Sequence, residues 1–237
     1  MIKEFENGLY IVLPEGVRLL NRVLDKLDKI KEELGFEEVI LPKIVRVETL
    51  EKSKVLGKWD DYLLSVKPFS STKGVTEEYI MDPLQCTSFY QFFENCNVDL
   101  IKWYDKSGPT YRNEDLDKIK AGIKQREFHR AEFMYLGSEK EVNSLRDEFV
   151  RKLSLLFVRL GLKIRIVDGD SCYHGKLSKN AVKDIEVLVN GEWLEIAGCS
   201  VLGSLMTKRF NINNGLAFSG CVGIGLNRLI YALKWGR

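Results

Sequence analysis

Apolar residues recur at helical spacing over two long stretches of the chain. Val17, Leu20, Val23, Leu24, Leu27 and Ile30 do so between Gly16 and Leu34, and Gly35 follows as a stop signal. Val142, Leu145, Phe149, Leu153 and Phe157 repeat the pattern from Lys140 to Leu160, closed by Gly161. Each stretch predicts a long amphipathic helix. Between them, Glu37 to Ile40 runs into Pro42 and reads as an edge strand. Ile44 to Leu64 predicts a short helix and a loop, and Tyr79 to Met81 a strand. Cys86 to Asn95, with Phe89, Tyr90, Phe92 and Phe93, predicts a core-facing helix.

Two segments alternate with period two around a charged loop: Ser107 to Glu114 and Arg126 to Gly137. Alternate side chains of a strand share a face. Arg112 and Glu114 then point one way, and Phe128, Arg130, Glu132 and Met134 share a face on the second strand. Folded back as a hairpin, the segments gather two arginines and two glutamates on one patch. That patch is either a solvated ion-pair ladder or a site for a ligand carrying both charges, such as an amino acid or ATP.

Leu162 to Val167 predicts another strand. Asp184 to Ala197 reads as two strands joined by Asn190-Gly191, the pair that type I′ hairpin turns favour. A two-residue turn fixes the register. Val189 then faces Glu192, Leu188 faces Trp193, Val187 faces Leu194, and Glu186 faces Glu195. The chain closes with a glycine-rich entry into a helix, from Ser219 through Arg228. Helices at the start, middle and end, with hairpins between, predict an α+β fold: an antiparallel sheet flanked by helices in one domain.

Opposed like charges destabilise a sheet, so Glu186 and Glu195 need compensation. Magnesium, which takes a few carboxylates with phosphate oxygens and water, would supply it at a nucleotide site. Lys183 or Lys208 nearby, or a register shift at a bulge, would serve equally. Gly220, Gly223 and Gly225 allow a helix start to pack closely on a sheet, with Arg228 a turn in; the spacing is not the dinucleotide GxGxxG. Arginine's planar fork suits phosphate and carboxylate.

The 237 residues are 45% hydrophobic and 30% charged, as in ordinary globular proteins, and long enough to bury a substantial core. Thirty-six basic and 34 acidic side chains leave a net charge of +2, which gives no electrostatic footprint for nucleic acid. No apolar run reaches the ~20 residues that span a bilayer. The N-terminus lacks the regions of a signal peptide, so a cytoplasmic protein is expected. Five cysteines, Cys86, Cys96, Cys172, Cys199 and Cys221, are odd in number and widely spaced, with no CxxC pair, which argues against a disulfide framework or zinc finger. Two histidines, His129 and His174, exclude a His-rich metal site.

In order along the chain, these pieces resemble the class II aminoacyl-tRNA synthetases. Gly16 to Pro42 is similar to the family's first motif, a long helix and a strand ending in proline. Arg112-Asn-Glu114 through Phe133 is similar to the second, and Gly223-Ile-Gly-Leu-Asn-Arg228 to the third. Asp82-Pro-Leu-Gln-Cys86, Tyr104 to Arg112, Glu127-Phe-His-Arg-Ala-Glu132, Lys208-Arg-Phe-Asn-Ile212 and Gly220 to Arg228 resemble methanogen-type seryl-tRNA synthetases. They also resemble the truncated amino acid:carrier-protein ligases.

The resemblance implies a zinc held by Cys86, Glu132 and Cys221, with an open position for the substrate's α-amino group. It implies Arg112 on the α-phosphate of ATP, Glu114 on the adenine amino group and Arg228 on the γ-phosphate. Glu195, partnered by Glu186, would hold magnesium. The implied reaction joins a small amino acid to ATP as an aminoacyl-adenylate. Over residues 1–237 the expectation is a single catalytic domain, without a separate tRNA-binding domain, working as a homodimer. The expected acceptor is therefore a carrier protein or another non-tRNA molecule. The alternatives are tRNA with a separate RNA-binding partner, or a catalytically silent paralogue that senses an amino acid. Four positions depart from the family pattern: Lys124, Asn227, Gly198 and Ser200. Lys124 replaces an arginine of the second motif, and Asn227 an acidic residue beside Arg228. The seryl Glu-x-Ala-Ser-x-Asn stretch reads Glu195-Ile-Ala-Gly-Cys-Ser200.

Overall fold

The chain opens with a hairpin, β1 (Ile2–Glu6) and β2 (Leu9–Val12), that leads into α1 (Pro14–Leu34). The computed structural model describes residues 1–6, 8–67, 78–171, 173, 175, 177 and 181–236, so Cys172 and His174 lie outside the described residues. A proline in its first turn starts α1, and Gly35, at φ 68°, ends it in the left-handed conformation that L side chains avoid. β3 is only Glu37–Glu38, shorter than the sequence pattern. The expected short helix is α2 (Val47–Ser53), but β4 (Ile44–Arg46) precedes it and β5 (Ser65–Val66) follows. These strands flank β6 (Tyr79–Met81) in a separate three-stranded sheet.

Next come α3 (Cys86–Phe92), β7 (Ile101–Asp105), β8 (Pro109–Tyr111) and β9 (Glu127–Gly137). The second long helix is α4 (Glu139–Arg159), started by a capping box between Ser138 and Glu141. β10 (Ile164–Asp168) precedes the predicted hairpin, β11 (Val182–Val189) and β12 (Glu192–Gly203). Then α5 (Leu205–Arg209), β13 (Phe218–Gly225) and α6 (Leu226–Trp235) complete the chain. The glycine-rich entry into the last helix is thus largely a strand.

The main sheet runs in the order β10-β11-β12-β13-β9-β7-β3, with β8 paired to the start of β9. It is antiparallel as expected, except that edge strand β3 joins β7 in parallel. Alternation along β9 splits two cores. Ala131, Phe133 and Tyr135 face α1, α4 and α6, whose Val23, Leu27, Phe149, Leu153 and Leu229 bury against them. Met134 and Leu136 face the opposite layer, with Leu50, Phe89, Tyr90, Met206 and Phe210.

Two helix expectations change at helix ends. Val17 is 41% exposed, because α1 begins against the N-terminal hairpin rather than the sheet. Phe92, the last residue of α3, is 66% exposed and leans on Trp103 at the rim. No helix of the described residues is long and apolar enough to cross a membrane.

Candidate active site

A cavity of about 840 Å³ opens on the sheet face away from α1, α4 and α6. It is lined by Arg112, Glu114, Arg130, Glu186, Glu195 and Arg228, and by Cys86 and Cys221. Asp184, Gly198 and Gly223 on its floor belong to a row of paired residues across five strands that continues to buried Glu132 and Asp105. Asp184 faces Gly198, Gly198 faces Gly223, Gly223 faces Glu132 and Glu132 faces Asp105. Directly paired residues share a sheet face. Two carboxylates therefore flank two positions without side chains.

The Asn190-Gly191 turn sets the register read from the sequence: Glu186 does face Glu195. A bulge follows the pair, leaving Ile196 without a partner. It shifts the phase of β12, so that Glu195, Gly198 and Ser200 all line the cavity instead of alternating across the sheet. Neither Lys183 nor Lys208 compensates the opposed glutamates. Arg165 pairs with Glu186 at 2.5 Å and Arg228 with Glu195 at 3.3 Å, while Lys183 pairs with Asp168. Asp184 joins this cluster, and the sequence reading missed it. Its position two before Glu186 on an alternating strand was the available signal. Burial pushes its pKa up to about 7, reinforced by Glu195, Glu186 and Asp170.

Arg112 and Glu114 are not on one strand, because β8 ends at Tyr111. Arg112 N–H still donates to the Arg126 carbonyl at 2.8 Å, and Glu114 N–H then donates to the Arg112 carbonyl at 2.9 Å, folding the chain away from β9. The Arg112 guanidinium is stacked between rings, 4.5 Å from the centroid of Trp59 and 5.1 Å from that of Phe128. Glu114 is buried and paired at 2.9 Å with Lys124, the residue that departs from the family pattern. The opening patch is therefore no continuous ladder. Arg228, in the first turn of α6, donates to the Ile123 carbonyl at 2.9 Å and the Glu195 carbonyl at 3.1 Å, which ties the helix to the floor. Asn227 is buried. Its Oδ1 accepts from His129 N–H at 2.7 Å and its Nδ2 donates to Gln125 at 2.8 Å, roles an acidic side chain could not both fill.

At the other end, Cys86, Glu132 and Cys221 converge from α3, β9 and β13. One ligand atom of each lies within 4.8 Å of the others, and all are buried. Arg130 Nη2 stands 3.4 Å from Glu132, yet neither carboxylate oxygen has a hydrogen-bond partner among the described residues. Such a buried, under-satisfied anion is costly unless a cation joins it. Two sulfurs and a carboxylate are a donor set that suits zinc. Tyr90, one helical turn after Cys86, is fully buried nearby. Burial, then Cys221 and Cys86, push its phenol pKa well up, so the proton stays on. Asp82 lies deeper, raised to about 7 by burial and also by Glu132, against an opposing hydrogen bond from Leu84 N–H.

A sequence model of the tRNA synthetase class II core domain (G, H, P, S and T) matches residues 69–234. The chain is 25% identical to the type-2 serine–tRNA ligase of Methanococcus aeolicus, over 97% of this chain and 53% of that protein. It is also 25% identical to that of Methanopyrus kandleri, over 98% and 54%. The chain thus spans about half the length of the curated relatives it matches. Among solved structures, the M. kandleri SerRS in complex with A. aeolicus tRNASec aligns with a TM-score of 0.89. Its identity is 23%, over 100% of this chain and 56% of that one. Giardia lamblia prolyl-tRNA synthetase in complex with prolyl-adenylate aligns with a TM-score of 0.81 at 17% identity, over 95% and 48%. At these identities the structures establish the fold. With the family model covering most of the chain, the protein belongs to the class II tRNA synthetase core-domain family.

Proposed function

We propose that this protein is a ligase that activates a small amino acid with ATP, forming an aminoacyl-adenylate and pyrophosphate, and charges tRNA of the seryl type. The observation that carries this reading is the spacing of two sites along one floor: the Cys86, Glu132 and Cys221 cluster at one end, the arginines at the other. The named relatives are serine–tRNA ligases, which supports tRNA as acceptor over the carrier protein expected from the sequence.

The donor set fits zinc; Cys86, Glu132 and Cys221 would hold it, and it would serve as a Lewis acid for the substrate's α-amino group. The rest falls to the side chains. Arg112, pre-oriented between Trp59 and Phe128, neutralises the α-phosphate as the amino-acid carboxylate attacks phosphorus. Glu114, held by Lys124, accepts from the adenine amino group. Arg228 takes the γ-phosphate and follows it as pyrophosphate leaves. Glu195, Glu186 and Asp184 line the cavity and would hold magnesium, which would neutralise phosphate charge there. Such catalysis is positioning and charge neutralisation and needs no side-chain nucleophile. A homodimer follows from the likeness of Gly16 to Pro42 to the family's first motif; Phe5, Leu9 and Ile11, exposed by 66%, 42% and 50% on the hairpin that precedes it, add apolar surface beside that motif.

ATP–pyrophosphate exchange across the twenty amino acids, on zinc-replete protein, tests activation; exchange with serine or another small amino acid is expected. Absence of exchange with every amino acid overturns it. Charging of total tRNA against a phosphopantetheine carrier protein then decides the acceptor.

A further inference from the structure

Tyr173 has no part in the chemistry above, yet it touches the cluster. Its side chain is 1% exposed, and its hydroxyl lies 2.9 Å from Cys86 Sγ. It is anchored by its backbone from two directions. Its N–H donates to Ser171 Oγ at 3.1 Å, and Lys58 Nζ reaches the carbonyls of Ser171 (2.6 Å) and Tyr173 (3.5 Å). The residue belongs to the buried layer that also holds Leu84, Leu202, Met206, Cys86 and Cys221. A buried phenol needs a polar partner, and here a sulfur serves.

The direction of that bond follows from chemistry. A metal-bound cysteine is a thiolate and can only accept, whereas a phenol keeps its proton to about pH 10 and donates. Outer partners of metal ligands fix the ligand's direction and tune its charge. We propose that Tyr173 is a positioning residue of the metal site: its hydroxyl donates to Cys86 Sγ, aims the sulfur at Glu132 and Cys221, and draws charge from it. A less electron-rich sulfur leaves the metal a stronger acceptor for the substrate's amine. This rests on the reading of the Cys86, Glu132 and Cys221 cluster as a zinc site.

The test loads wild type and Tyr173→Phe with cobalt(II), follows the thiolate-to-cobalt charge-transfer absorption, and measures zinc affinity by chelator competition. The expected result is zinc affinity about 10- to 100-fold weaker in the variant. Its charge-transfer band should move to lower energy, with an unchanged circular dichroism spectrum. Ser171→Ala, which removes one of the two anchors of the Tyr173 backbone without altering the phenol, should move both readouts the same way by less, and it replaces Tyr173→Phe should that variant not fold. Wild type and variants with equal affinity and superimposable spectra overturn the role of Tyr173 while leaving the zinc site standing. A wild type that takes up neither metal overturns both.

Discussion

The guanidinium of Arg130 lies where a side chain on Gly223 would be: a Cβ built there stands 2.6 Å from Arg130 Cζ. Gly223 faces Glu132 across β13 and β9, so Arg130 can lie flat over the strand beside that carboxylate. The glycine serves close approach rather than a turn.

Gly223→Ala therefore displaces Arg130. Since the guanidinium is the far end of a flexible side chain, it can swing away without unfolding the sheet. The variant should melt within a few degrees of wild type, a cost of about 1 kcal/mol. Arg130 lines the cavity and stands beside Glu132, so its displacement should lower pyrophosphate exchange about tenfold, about 1.4 kcal/mol of transition-state stabilisation. Full activity in Gly223→Ala would show that Arg130 has no fixed place in the reaction.

Asp184, raised to about 7 from an ordinary value of 3.8, makes a pH prediction. Its charged form is disfavoured in the folded protein. Its contribution to stability is thus complete below pH 4 and is lost as pH rises through 7. Asp184→Asn should leave the melting temperature almost unchanged at pH 4 and raise it by a few degrees at pH 8. The group is partly solvated, so this corresponds to about 1 kcal/mol, well under the full shift. Equal effects at both pH values would exclude the like-charge cluster as the cause.

Removing metal should destabilise the wild type, because both Glu132 oxygens are then left buried without hydrogen bonds. Chelator should lower its melting temperature by several degrees, restored by zinc. Glu132→Gln, which carries no charge to compensate, should melt at the same temperature with chelator or zinc. A zinc-dependent shift that persists in this variant would place the ion elsewhere.

Glu186 and Glu195 are opposed but each has an arginine, Arg165 and Arg228. Arg165→Ala should cost about 0.5–1 kcal/mol in urea unfolding, the scale of an opposed pair and of a partly exposed ion pair. Glu186→Gln added to Arg165→Ala should recover most of it. A double variant no more stable than the single one would mean that Arg165 acts through its stacking on Trp193 instead.

Much of the fold was legible in the sequence because it is set locally. Helical periodicity located α1 and α4, Gly35 marked where α1 ends, and Asn190-Gly191 fixed a register that placed Glu186 opposite Glu195. The strand and turn preferences of a few neighbouring residues suffice for such elements. They do not locate β4 and β5, three and two residues long, which exist through pairing with β6. Nor do they place the ends of β3 and β8.

The site divides along the same line. Sequence alone named arginines and carboxylates, but nothing in the spacing of Cys86, Glu132 and Cys221 links them; only the likeness to a family did. Tertiary structure brings them together, because α3 packs over β9 where β9 pairs with β13. It also decided that Arg165 and Arg228, rather than nearby lysines, answer the two glutamates. Asp184 joined them by the same means: a bulge re-aimed β12 and left Gly198 open in front of it. Such contacts join residues distant in the chain. Their energies depend on the packing of whole layers, which no local pattern of side chains encodes.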